Sequence, residues 1–205
     1  MIVSIIAYSG PIVVGLIIPL LISDKDLHLR TFLLRILILT SIVVLVIGLS
    51  VLLAQDSSYS LTVKRYIFLV LFLASWSVLI GGLHFFLSNL NTIKILAQIV
   101  MYAVVFFLCG WVFFANPLVE AFVFNPSIRQ FFIKATVFGN PFLTMAASFF
   151  SHDILRSGEL YKQSVIGAYY PYNYANWVIL TCIYCIIGVI CYFSGYRLRK
   201  SRVLI

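Results

Sequence analysis

Apolar residues along this chain do not alternate with polar ones; they run in long blocks. Five blocks approach the ~20 residues a helix needs to cross the hydrocarbon core of a bilayer. They cover about 2–22, 32–54, 66–87, 93–115 and 177–196. Polar clusters mark their ends. Asp24-Lys25-Asp26 follows the first block, and Gln55-Asp56-Ser57-Ser58 closes the second. Lys64-Arg65 opens the third. Ser88-Asn89-Leu90-Asn91 joins it to the fourth as a tight helical hairpin, and Asn116-Pro117 stops the fourth. The first block lacks a basic start and a small-residue cleavage site, so it reads as a retained helix rather than a signal peptide. Its Pro11 and Pro19 are tolerated where neighbouring helices re-satisfy the freed backbone groups.

The pattern changes between residues 116 and 176. Glu120, Arg129, Lys134, His152, Asp153, Arg156, Glu159 and Lys162 lie in a segment that stays rich in Phe. Ile128, Phe131, Phe132 and Ala135 recur at i, i+3, i+4 and i+7, which gives a short helix one apolar face. Asn140-Pro141 then breaks the chain, because proline disfavours helix in the residue before it. A second apolar stretch, Phe142 to Phe150, follows. Neither half is long enough to span alone, so the pair reads as two short helices dipping into one leaflet as a re-entrant hairpin. Forcing residues 131–150 across the membrane as a sixth span would bury Lys134 at a cost of about 2.5–3.5 kcal/mol. The Tyr-rich run from Gly167 to Trp177 leads into the last block as an interfacial aromatic belt. The expected fold is therefore an all-α integral membrane protein, a single domain over residues 1–205. It has about five transmembrane helices and a re-entrant outer-leaflet helical hairpin before the last span.

Composition agrees with this pattern. Of 205 residues, 63% are hydrophobic and only 10% are charged, where a soluble domain carries about 25%. The net charge of +8 arises between the apolar blocks and in the tail Arg197, Arg199, Lys200 and Arg202. There it sets topology and meets anionic lipid headgroups, and it does not call for a nucleic-acid partner. The tail is expected on the cytoplasmic side of the cell (inner) membrane, and five spans then leave the N-terminus outside.

Candidate chemistry is sparse. The chain has no phosphate-cradling G-x-x-x-x-G-K-[ST] or G-x-G-x-x-G run, no H-E-x-x-H and no G-x-S-x-G. No enzymatic activity, cofactor or metal is expected of it alone. Cys109, Cys182, Cys185 and Cys191 lie inside apolar blocks and read as buried apolar residues. His84 is the one histidine inside a block, and a b-type haem held by this chain would need a second. Gly81-Gly82 with Ser75 and Ser77, and Gly48 with Ser50, make small-residue patches. Such patches serve packing within the chain or a face for a second membrane subunit.

From about Tyr66 to Arg202 the order of elements resembles the permease subunits of type-2 ABC exporters. Ala97 to Ala115 is similar to the penultimate span of that family. Asn116 to Phe150, with Asn125-Pro126 and Asn140-Pro141-Phe142, is similar to its re-entrant hairpin. Trp177 to Arg202 is similar to its final span and basic tail. Against the family's six spans the chain reads as a form shortened at the N-terminus. The resemblance implies a translocation path made by two permease subunits, as a homo- or heterodimer, and driven by a separate cytoplasmic ATPase. It implies an ATPase contact at Asp24, Lys25, Asp26 and Arg30, and an outer gate at Asn140, Pro141 and Phe142. A competing reading is a non-catalytic structural subunit of a larger respiratory or electron-transfer complex. A third is a cofactor carrier using His84 with a partner.

Overall fold

A computed structural model describes residues 9–22, 28–53, 63–90, 94–122, 124–150, 153–156, 166 and 173–203. Helices α1 (Gly10–Leu21), α2 (Leu29–Leu53), α3 (Val63–Leu90) and α4 (Lys94–Phe114) come first. Three short helices follow, α5 (Asn116–Ala121), α6 (Pro126–Phe138) and α7 (Pro141–Phe150). A 3-10 turn at Ile154–Arg156 and the long α8 (Trp177–Val203) complete the chain. No strand occurs among the described residues. Helices α2, α3, α4 and α8 are each long and apolar enough to cross a membrane, as in a multi-pass membrane protein. Of the block at 2–22, helix α1 lies within the described residues and residues 2–8 lie outside them. α3 is longer than the block at 66–87, because Lys64 and Arg65 sit inside its first turn and do not end it.

The helices are apolar on all sides, as expected where lipid rather than water covers the outer face. In α2, Phe32, Ile36, Leu39, Val43 and Ile47 are buried at helical spacing. Leu33, Leu37, Leu45 and Leu49 on the other side are at least 48% exposed. α8 follows the same rule, with Leu180, Tyr184 and Tyr192 inward and Ile179, Ile186 and Ile190 outward. Cys109 is buried, whereas Cys182 is exposed on the outward face of α8. A thiol is apolar enough for lipid, so a position in an apolar block does not imply burial in protein.

α3 is the hub, packing against α1, α2, α4, α7 and α8. Its tightest partner is α8. A Cβ added at Gly82 would overlap the carbonyl of Gly188. One added at Gly188 would lie 2.5 Å from the Val78 carbonyl oxygen and 2.7 Å from the Leu79 nitrogen. At Gly195 it would lie 3.0 Å from the Phe86 Cα. The two backbones are therefore in direct contact over about two turns. Apolar side chains gain little by leaving lipid, so helices associate through such close approach and through hydrogen bonds. The Gly81–Gly82 patch thus serves packing within the chain, with Gly81 facing Ile22 and Phe32. Gly48 likewise faces the ring of Tyr66.

Polar contacts tie α1 and α2 to α3 and to each other. The Trp76 indole Nε1 donates to the Pro11 carbonyl of α1 at 2.8 Å. Thr40 Oγ1 of α2 and Ser77 Oγ lie 3.1 Å apart. Arg35 of α2 donates to the Leu21 carbonyl at the end of α1. Phe85 of α3 stacks on Tyr192 of α8 at 4.9 Å, and Phe32 of α2 packs on the same ring at 4.7 Å.

Replacing Gly188 with Ala puts a methyl group against backbone that can yield only if the helices part. We expect a loss at or above the 1–3 kcal/mol of ordinary overpacking. That is a fall of roughly 5 °C or more in the melting temperature of the detergent-solubilised protein. Gly110→Ala is the control, since its nearest neighbour, the Phe106 ring, lies 3.6 Å away in ordinary contact. It should leave the melting temperature unchanged or raise it slightly. Equal effects of the two substitutions would rule out the close crossing.

Candidate functional site

The short helices begin at asparagine–proline steps, and each step is a start signal as well as a stop. Asn125 Oδ1 accepts from the Ile128 amide at 3.2 Å and caps α6. Asn140 Oδ1 accepts from the Leu143 amide at 3.1 Å and caps α7. The proline after each fills the first helical position, where no intrahelical N–H partner exists and its fixed φ suits the helix. The break read at Asn140-Pro141 is thus a two-residue turn, Gly139-Asn140, that ends one helix and caps the next.

Asn140 anchors this turn in the bundle. Asn140 is 1% exposed, and its Nδ2 donates to the Cys109 carbonyl of α4 at 3.0 Å. The Gly139 carbonyl accepts a long bond from the Tyr184 hydroxyl of α8 at 3.5 Å. The Tyr184 ring packs on Trp76 at 5.2 Å, and Trp76 in turn reaches Pro11. Elements α1, α3, α4, α8 and the turn therefore meet at one level. Trp76 lies near the middle of α3, and Tyr184 is about two turns into α8.

From the turn, α7 runs back toward the end of the bundle where α8 begins. Leu143, Met145, Ala146 and Phe149 are buried among the long helices. Phe149 meets Phe72 at 5.7 Å and Trp177, the first residue of α8, at 5.7 Å. Trp177 also packs on Phe68, near the start of α3, at 4.6 Å. Pro141 is buried, and Phe142 is half-buried against the core. Asn140, Pro141 and Phe142 therefore lie together at the base of this inserted segment.

The apolar face read on α6 points the other way. Ile133, Thr136 and Val137 are the buried residues, while Ile128 is 39% and Phe131 67% exposed. The stripe at 128, 131 and 135 faces out of the bundle, where lipid can cover it. Phe132, at the edge of the stripe, stacks on Phe122 beyond the end of α5 at 5.3 Å.

Two buried hydroxyls near the turn, those of Thr144 and Thr181, have no hydrogen-bond partner among the described residues. At the other end of α3, His84 is 1% exposed. Its Nε2 lies 3.5 Å from the Ser88 hydroxyl, and its Nδ1 has no partner among the described residues. No group of three His, Cys, Asp or Glu that could hold a metal occurs among the described residues. Of the residues assigned to a partner contact, Asp24, Lys25 and Asp26 lie outside the described residues. Arg30 is exposed in the first turn of α2, at the end of the bundle opposite Trp177. The Tyr-rich belt is described only from Asn173 onward, where the Tyr174 hydroxyl donates to Asp153. Two features escape sequence reading, the Trp76–Pro11 bond and the Gly82–Gly188 contact. Only the second leaves a trace, in Gly188 and Gly195 spaced along one face of α8.

Comparison with known protein families, with curated proteins and with solved structures found no match.

Asn140→Ala removes a helix cap and the bond to Cys109, and leaves that carbonyl buried without its donor. The expected loss is about 2–4 kcal/mol. Asn140→Ser keeps a cap acceptor and should recover part of it. Thermal unfolding of the two variants in one detergent checks the order, wild type above Ser above Ala.

Proposed function

We propose that the chain is the membrane-spanning permease subunit of an ABC-type exporter, forming the translocation path while a separate subunit hydrolyses ATP. The observation that carries this reading is the inserted segment α6–Gly139–Asn140–α7. Its turn meets α4 at Cys109 and α8 at Tyr184, whose ring packs on Trp76 near the middle of α3, and α7 runs back toward the start of α8. In a membrane such a segment is a re-entrant hairpin. Non-helical backbone at that depth is tolerated because Asn140 pairs the Leu143 amide and the Cys109 carbonyl within protein. The hairpin closes the outer end of the path, with Asn140, Pro141 and Phe142 as its gate.

The rest of the topology follows. α1, preceded by residues 2–9, is the fifth span. The basic tail at the end of α8 is cytoplasmic in the cell (inner) membrane, which leaves the N-terminus and the hairpin outside. Arg30, together with Asp24, Lys25 and Asp26, forms the surface nearest the ATPase. A second permease copy, or a related subunit, completes the path.

The runner-up is a non-catalytic structural subunit of a larger membrane complex. It is favoured by the broad apolar faces that α2 and α8 leave uncovered, such as Leu37 at 60% and Ile186 at 60% exposed. These could be covered by other membrane subunits as well as by lipid.

Purification through a C-terminal tag in a mild detergent, with mass spectrometry of co-purifying proteins, separates the two. A soluble ATPase in stoichiometric amount is the expected result. It should be lost when Arg30 is changed to Glu. Several membrane or redox subunits without an ATPase would overturn the permease reading in favour of the structural one.

A further inference from the structure

Helices α2 and α8 both rest on α3 but leave a strip of it uncovered between them. Ser77 and Gly81 of α3 meet α2, while Gly82 and Phe86 meet α8. Ala74 and Val78 project from the α3 face that lies between those two sets. They form the floor of an open crevice walled by Leu33, Leu34 and Leu37 of α2, with Arg30 also lining it. Where the start of α2, two residues before Arg30, approaches the end of α8 lies a second hollow. It is lined by His28, Tyr196, Arg199 and Lys200. Phe32 and Tyr192, in ring contact, bridge the two helices at this end.

Walls and mouth differ in kind. Apart from Arg30 the crevice is aliphatic, whereas the hollow is lined by Arg199, Lys200, His28 and Tyr196. An aliphatic slot that opens beside a cationic mouth matches one molecule of mixed character, an acyl chain ending in a phosphate. Arginine binds phosphate oxygens with a planar fork, and lysine adds a point charge. Basic pockets between membrane helices favour anionic headgroups for this reason. A second copy of the chain would bring an apolar helix but nothing to match the cations.

We propose that this groove is a binding site for one anionic phospholipid. Its phosphate lies among Arg30, Arg199 and Lys200, and one acyl chain runs along Leu33, Leu37, Ala74 and Val78. The lipid joins α2 to α8 where protein contacts are thin, so it stabilises the bundle. The site is independent of the permease reading, since it needs no transport and no ATPase.

The test is thermal unfolding of the delipidated protein in detergent, titrated with dioleoylphosphatidylglycerol, dioleoylphosphatidylcholine or inorganic phosphate. The anionic lipid should raise the melting temperature saturably, and phosphatidylcholine and phosphate should not. The double variant Arg199→Gln/Lys200→Gln should weaken the apparent affinity roughly tenfold or more. Ala74→Leu, which fills the floor, should weaken it while the headgroup residues remain. Should Ala74→Leu fail to fold, Leu37→Gln probes the same wall from an exposed position. An equal shift with inorganic phosphate would replace the lipid by a free anion. Unchanged lipid affinity in both the headgroup and the crevice variants would overturn the site. So would a dimer of the wild type that the crevice substitution dissociates, since a second copy would then fill the groove.

Discussion

The bundle depends on one contact, the direct meeting of the α3 and α8 backbones at Gly82 and Gly188. In water, two apolar helices would be pressed together by the cost of exposing them. In hydrocarbon that force is absent, and association rests on packing density and polar contacts. Two glycines facing each other let main-chain atoms approach to a distance that any side chain would prevent. The pair then acts as a spine. Phe85 and Tyr192 extend it toward the basic tail, and Trp76 and Tyr184 extend it toward the hairpin.

The spine also explains how a short helix can be held inside the bundle. α7 has only 10 residues and would be marginal alone. Its first turn is capped by Asn140, whose amide is anchored on Cys109, and its last turn is gripped by the rings of Phe72 and Trp177. Each of these partners belongs to α3, to α8 or to α4 beside them. The same geometry leaves α2 less tightly held to α8, with the Phe32–Tyr192 ring contact between them and an open crevice on α2 and α3 beside it.

The long helices were legible because lipid imposes a simple rule, one apolar block per crossing. The blocks at 32–54, 66–87, 93–115 and 177–196 each contain the core of a long helix. The rule is silent about which face packs, since every face is apolar. In α6 a single apolar stripe, Ile128, Phe131 and Ala135, marks a helix but not its orientation, because lipid can cover such a stripe as well as protein can. The same blindness applies to Cys182. At the hairpin, Asn140-Pro141 announced a boundary, but its burial against Cys109 depends on residues far apart in the chain. Pairings such as Gly82 with Gly188 and Trp76 with Pro11 are tertiary: the glycines mark a packing face without naming its partner, and Trp76 gives no sign of its bond to Pro11.

In the proposed topology the Gly139-Asn140 turn lies at mid-depth between the membrane-crossing helices. Nitroxide labels at Phe124, Phe131 and Phe138, placed singly on a variant lacking the native cysteines, test it in lipid vesicles. Collision rates with oxygen and with a water-soluble nickel chelate report the depth of each label. Depth should increase from Phe124 to Phe131 to Phe138, with Phe138 matching a label at Ile186 in α8. Three labels at one shallow, chelate-accessible depth would place α6 flat on the surface and contradict it.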